Sequence, residues 1–157
     1  KSHAEVEYEK KHKIAIKAME MEDIKSVQEI ETMSFNTPWT EDAFERELDN
    51  ELSIYVVAKK DGKVVGYGGM WLIIDEGHIT NIAVHSDYRN KGVGKAIVES
   101  LIEIAEENHI QRMTLEVRFS NIIAIELYEK YGFHIAGLRK NYYADTNEDA
   151  LVMWKEL

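Results

Sequence analysis

The sequence has no cysteine and a single proline among its 157 residues. Without cysteine there is no disulfide and no thiolate nucleophile. One proline and 45% apolar residues describe an ordered, globular chain rather than a disordered one. No apolar run approaches the roughly 18 residues of a membrane span, and no charged-then-apolar leader opens the sequence. A cytoplasmic protein without a membrane partner is therefore expected. Basic residues are also short: 19 Lys and Arg face 29 Asp and Glu, for a net charge of −10. Such a surface on average repels nucleic acid and attracts basic partners, so no direct nucleic-acid contact is expected. Plain solubility is the other reading of that acidity. The histidines are scattered without ligand spacing, and no metal is expected.

The length suits one domain with its own core. Residues 1–12 read as a charged N-terminal extension and 13–157 as the domain. Residues 12–19 alternate apolar and polar, as in a strand, and 22–33 read as a helix through Ile24, Val27, Ile30 and Met33. Thr40 is a good N-cap for a second helix carrying Phe44 and Leu48. Strands at 53–60 and 63–74 flank Asp61-Gly62, a hairpin dipeptide, with Met70 and Trp71 read as core. Further strands are expected at 78–84, 111–117, 135–143 and 149–156, and helices at 95–108 and 121–131. This order of elements indicates an α/β or α+β sandwich around one sheet.

The chemistry concentrates between Ile82 and Lys95. Ile82, Ala83 and Val84 end a strand, a short polar turn follows, and Arg89-Asn90-Lys91-Gly92-Val93-Gly94-Lys95 opens a helix. That helix is amphipathic, with Ile97, Leu101, Ile104 and Ala105 opposite Glu99, Glu103, Glu106 and Glu107. A strand feeding a glycine-lined helix start leaves backbone N–H groups unpaired at the positive end of the helix dipole, which favours phosphate. Arg89, Lys91 and Lys95 offset the acidic chain at the place where an anion would sit. Two known phosphate loops fail the test. A Walker loop needs glycine and a hydroxyl where Arg89 and Ala96 stand, and a dinucleotide fingerprint needs glycine where Ile97 stands. Gly66-Tyr67-Gly68-Gly69 fails the second pattern at Trp71.

What remains is Arg-x-x-Gly-x-Gly after Ile-Ala-Val-His-x-x-Tyr, which resembles the acyl-CoA loop of the GNAT superfamily of N-acetyltransferases. Ser86 stands where that family usually has proline. Downstream, Asn121, Ala124, Tyr128 and Gly132-Phe133 keep the spacing of the family's helix whose Asn and Tyr line the CoA arm. Leu115-Glu116-Val117-Arg118 precedes that helix and Arg139-Lys140-Asn141-Tyr142-Tyr143 follows it. With Phe35, Pro38-Trp39-Thr40 and the terminal Glu148-Asp149-Ala150-Leu151-Val152-Met153, these runs resemble the RimI-type ribosomal-protein-alanine N-acetyltransferases across residues 13–155.

The resemblance implies a GNAT fold, a mixed α/β sheet of about seven strands flanked by about four helices. It implies acetyl-CoA as co-substrate, held by Ile82, Ala83, Val84, Arg89, Asn90, Lys91, Gly92, Val93, Gly94, Lys95, Asn121 and Tyr128, and no metal. Phe35, Trp39 and Tyr142 fall on the acceptor side. The implied reaction is acetyl transfer to a protein N-terminus, a ribosomal-protein alanine, with Glu116 as general base, Tyr128 as general acid and the Val84 N–H near the thioester carbonyl. Attack is direct, since no cysteine can carry the acyl group. A monomer or weak dimer is expected.

The residues alone leave other readings open. A glutamate in an alternating strand is also an ordinary outer-face residue, Tyr128 a core aromatic and Asn121 a helix cap. Phe119 stands where the subgroup commonly has a small residue, and could reshape the acceptor groove. A lysine or small-amine acceptor, and a non-catalytic acyl-CoA-binding domain, are the alternatives.

Overall fold

In the computed structural model, which describes residues 2–4 and 13–157, Asp61 and Gly62 take φ of 51° and 79°. Two successive positive values make the tight turn whose twist matches antiparallel strands. It joins β2 (Ser53–Lys60) to β3 (Lys63–Ile73). Around this hairpin lie β1 (Ala15–Ala18), β4 (Glu76–Val84), β5 (Arg112–Arg118), β6 (His134–Tyr143) and β7 (Glu148–Glu156). Together they form a seven-stranded sheet in the order β1-β2-β3-β4-β5-β7-β6. All neighbours are antiparallel except β4 and β5, which are parallel and need a crossover helix between them.

That crossover is α3 (Val93–Glu107), which packs with α4 (Ile122–Lys130) on one face of the sheet. On the other face lie α1 (Ile24–Ser34) and α2 (Glu41–Leu48). Ile97, Leu101 and Ala105 of α3 are fully buried against Val65, Met70, Met113 and Leu115. Each large aliphatic side chain among them stabilises the fold by about 1.5–3 kcal/mol. The second core joins Val27 and Ile30 of α1 and Phe44 of α2 to Tyr55, Val57 and Tyr67. Caps fall where short polar side chains allow: Thr40 Oγ1 accepts from the Ala43 N–H at 3.1 Å, and Asn121 Oδ1 from the Ala124 N–H at 3.2 Å. No helix among the described residues is long and apolar enough to cross a membrane.

Some expected boundaries differ. The strand expected from residue 12 is observed as Ala15–Ala18, with residue 12 outside the described residues. The helix expected from 22 opens as a 3-10 turn over Met21–Asp23, because the Asp23 carboxylate reaches back to the Glu20 N–H at 2.9 Å and tightens it. Trp71 is half-buried rather than core, since its indole N–H donates to Glu47 Oε2 at 2.7 Å near the surface. Met70 is fully buried, as expected.

Close approach of α3 to β3 depends on Gly68, where a Cβ would meet Ile97 Cγ2 at 2.5 Å. Gly68→Ala is therefore expected to overpack this contact and cost about 1–3 kcal/mol. Urea unfolding measures it as a lower midpoint at unchanged slope; an unaltered midpoint would show that the helix does not lie this close.

Candidate active site

The parallel strands β4 and β5 pair only at Glu76, Gly77 and His78 against Arg112, Met113 and Thr114. Beyond that point no ladder joins them, although β4 runs on to Val84 and β5 to Arg118. Residues 79–84 are left with one open edge. The His85 N–H is directed at Val65 O (2.8 Å), on the β3 side. Alternation along the strand then turns the N–H groups of Val84 and Ile82 toward the opening. Midway along β4 the register slips: Asn81 is opposite Gly69 but Ile79 is opposite Met70, so Thr80 is the extra residue of a β-bulge. The bulge turns Thr80 and Asn81 to the same face, where Thr80 Oγ1 and Asn81 Oδ1 lie 2.8 and 3.1 Å from the Tyr55 hydroxyl.

At the end of β4 the chain prepares an anion site. Asn90 and Gly92 take left-handed φ of 62° and 82°, and Gly92, the N-cap of α3, has no side chain with which to cap it. The Ala96 N–H is bonded to Gly92 O at 3.1 Å. The N–H groups of Val93, Gly94 and Lys95 ahead of it have no intrahelical partner and stand at the positive end of a 15-residue dipole. Arg89, Lys91 and Lys95 are exposed around them. A Cβ at Gly94 would touch Leu127 Cδ2 at 3.4 Å and Val84 Cγ2 at 3.8 Å, so the end of β4, the start of α3 and α4 meet here.

Glu116 and Tyr128 lie on opposite faces of the sheet. Met113, Leu115 and Val117 face the α3 core, which turns the half-buried Glu116 the other way. Its Oε1 lies 3.4 Å from Arg139 Nε. Tyr128 is buried in the α3 core, edge-on to Phe133 at 5.8 Å, and burial pushes its phenol well above the ordinary value. Tyr143 is within electrostatic reach of both Glu116 and Tyr128. Its own phenol is pushed up to about 12, chiefly by burial, against the opposing pull of Arg118, whose guanidinium lies 4.0 Å from the ring centre.

Two residues along β5 from Glu116, Arg118 organises the β6–β7 turn. It donates to Asp145 Oδ1 and Oδ2 (3.1 and 2.9 Å), Thr146 Oγ1 (3.1 Å) and Glu148 Oε1 (3.5 Å). Asp145 Oδ2 also accepts from Asn36 Nδ2 at 3.0 Å. That bond joins the α1–α2 loop to the β6–β7 turn and bridges two elements remote in sequence. Phe35 and Trp39 of the same loop are half-buried, Trp39 lying 5.4 Å from Phe44 and 6.5 Å from Tyr55 between ring centres. Tyr142 is exposed, edge-on to Tyr143 at 5.1 Å.

Of the residues read from the sequence, those from Ile82 to Lys95 line the open strand edge and the helix start, and Asn121 caps α4 as well. Ala83 turns its side chain into the α1-side core and, two residues before His85, its N–H and C=O to the β3 side opposite Tyr67, so the edge groups at the opening are those of Ile82 and Val84. Phe119 is 57% exposed in the turn after β5. Sequence reasoning missed Glu31, a buried carboxylate bonded to Asn81, and the partners of Arg118. The spacing of Glu31 four residues after Val27, on the apolar side of its helix, was a usable signal. Nothing local marks the pairing of Asn36 with Asp145.

A family model, the acetyltransferase (GNAT) family, matches residues 24–133. The chain is 46% identical over 145 residues to a Bacillus subtilis protein named, provisionally, for alanine N-acetylation of ribosomal protein bS18, covering 92% of this chain and 96% of that one. It is 37% identical over 145 residues to the Escherichia coli ribosomal protein bS18-alanine N-acetyltransferase, covering 88% and 94%. A crystal structure of the Escherichia coli alanine N-acetyltransferase of this ribosomal protein superposes with a TM-score of 0.85 at 34% identity, covering 92% of this chain and 94% of that one.

The Arg118 cluster has a pH signature. The Asn36 amide, with Arg118, holds the Asp145 carboxyl below its usual range, and Ser120, with Arg118, does the same for Glu148. Depressed folded values mean that this stabilisation is present above the unfolded carboxylate range, about 4, and is lost as pH falls through the folded values. Carboxyl NMR titration is expected to give midpoints below the ordinary aspartate and glutamate values for Asp145 and Glu148, both rising in Arg118→Gln. Ordinary midpoints in the wild type would contradict the cluster.

Proposed function

This chain belongs to the acetyltransferase (GNAT) family and is an N-acetyltransferase, and we propose that it transfers acetyl from acetyl-CoA to the N-terminal α-amine of a ribosomal protein. The observation that carries this reading is the open edge of β4 running into the uncapped start of α3, with Glu116 across the opening. An extended pantetheine arm fits the unpaired N–H groups of Ile82 and Val84 as an added strand would. A pyrophosphate fits the free N–H groups of Val93, Gly94 and Lys95, with Arg89, Asn90, Lys91 and Gly92 around them. Asn121 and Tyr128 complete the cofactor side.

Bound acetyl-CoA supplies the electrophile, a thioester carbonyl carbon. The chain's own groups handle protons and charge. An α-amine, with a pKa of about 7.7–8 against about 10.4 for lysine, is already partly neutral near pH 7. Glu116, held beside Arg139, accepts its proton directly or through one water. The Val84 N–H, aimed at the open edge, donates to the carbonyl oxygen as negative charge develops there. Tyr128 keeps its proton because burial disfavours phenolate, and the same dry surroundings raise the proton affinity of a departing thiolate beside it. Tyr128 is then the proton donor to that sulfur.

The acceptor reading draws on the relatives, which are named for alanine N-acetylation of ribosomal protein bS18. The Asn36–Asp145 bridge supports it independently. A bond between the α1–α2 loop and the β6–β7 turn, the two segments read as the acceptor side, favours a chain end entering tip first over a lysine in mid-chain. Phe35, Trp39 and Tyr142 are the proposed acceptor contacts, and the net charge of −10 favours a basic partner.

A peptide panel with mass-spectrometric localisation of the acetyl group tests the acceptor. Acetylation is expected on the free N-terminus of an alanine-initiated peptide; labelling confined to the lysine of an N-blocked peptide would replace the acceptor assignment. For the mechanism, Glu116→Gln and Tyr128→Phe are each expected to lower kcat by about 10²–10⁴-fold. Calorimetric affinity for CoA should stay near wild type in both, and unchanged turnover in both variants would remove these two roles.

A further inference from the structure

Glu31 is 2% exposed on the apolar side of α1, and no cation lies within ion-pair distance of it among the described residues. A carboxylate removed from water without a cation persists only with good hydrogen-bond donors. Glu31 has three, from three different elements. Its Oε2 accepts from the Trp39 N–H at 2.9 Å in the α1–α2 loop. Its Oε1 accepts from the Tyr67 hydroxyl on β3 and faces Asn81 Nδ2 at the β4 bulge at 3.4 Å. Asn81 Oδ1 in turn accepts from the Thr80 hydroxyl at 2.9 Å. One turn earlier on α1, Gln28 Nε2 donates to Trp39 O at 3.3 Å, so the helix grips both the N–H and the C=O of Trp39.

The proton transfers proposed above use none of these groups. As a packing unit, an apolar side chain of similar volume would serve as well without burying charge. What the carboxylate adds is a fixed relation between a loop and a strand. The loop carries Phe35 and Trp39, and the strand carries the bulge that lies within the open edge, just before Ile82.

We propose that Glu31 is a positioning residue for the acceptor. Its buried carboxylate ties the loop of residues 35–39 to the β4 bulge and so sets the width of the groove by which the acceptor reaches the opening. This rests on the reading of that loop as the acceptor wall. The donor site, formed by the edge N–H groups of Ile82 and Val84 and the start of α3, has no bond to Glu31 among the described residues.

The test is steady-state kinetics of Glu31→Gln, Glu31→Ala and Tyr67→Phe, varying acetyl-CoA and peptide separately, with thermal unfolding to fix the folded fraction. The probes are an alanine-initiated hexapeptide and its N-blocked, lysine-containing counterpart, and each variant is measured on whichever the wild type acetylates. An amide accepts hydrogen bonds through only one of its two ends, so in Glu31→Gln either Trp39 or the Tyr67 and Asn81 pair loses its acceptor. Peptide KM is expected to rise about tenfold in Glu31→Gln, and less in Tyr67→Phe, while the acetyl-CoA KM stays at the wild-type value. A parallel rise in both KM values, or an unchanged peptide KM in folded protein, would overturn the proposal. If Glu31→Ala does not fold, the near-isosteric Glu31→Gln and Tyr67→Phe still decide it. Wild-type activity on the lysine peptide alone would reject the N-terminal acceptor while the Glu31 comparison proceeds on that peptide. Turnover of neither peptide would reject both.

Discussion

The rest of this structure is arranged around a strand whose ladder stops early. After three register pairs β4 and β5 part, and a row of backbone donors and acceptors on β4 is left without a strand partner among the described residues. Open edges of this kind ordinarily invite association and are usually covered or blunted. Here both sides of the opening are stiff. β4 is held by eight register pairs to β3, and β5 by seven to the inserted strand β7. The gap is therefore a lasting feature between two braced half-sheets, with the bulge on β4 and Glu116 on β5 at its sides and the start of α3 beyond its end.

Electrostatics explains why the site needs such local construction. A chain of net charge −10 opposes an anionic ligand at long range. Attraction must come from groups aimed at short range, where backbone N–H groups and the helix dipole act with little screening. The same economy of cations shows elsewhere. Arg118 alone serves Asp145 and Glu148 while its guanidinium stacks on Tyr143, and Glu31 is satisfied entirely by neutral donors. The basic side chains Arg89, Lys91 and Lys95 are left exposed around the helix start, while these carboxylates are held in place by their own donors.

What was legible in the sequence was what a few neighbouring residues decide together. Asp61-Gly62 forms its turn through its own backbone preferences, Thr40 and Asn121 cap through their own side chains, and Gly92 leaves α3 uncapped because it has none. The amphipathic pattern of α3 likewise located the core it buries. Features that depend on register or on distant segments were not legible. The bulge at Thr80 exists only relative to β3, and the early parting of β4 and β5 only relative to β7. Asn36 and Asp145 are 109 residues apart and meet only once both loops are folded. Trp71 was misjudged because apolar neighbours in sequence do not reveal Glu47, which waits for its indole on another element. Glu31 lay within reach of sequence reasoning, as a carboxylate at a core position of an amphipathic helix.

Amide hydrogen exchange with and without acetyl-CoA tests most directly whether the open edge of β4 is the cofactor slot. Addition of acetyl-CoA is expected to protect Ile82 and Val84 together with Val93, Gly94 and Lys95, while the paired amides of β2 and β7 keep their rates. Protection elsewhere, or none in these five amides at a saturating concentration, would contradict the account.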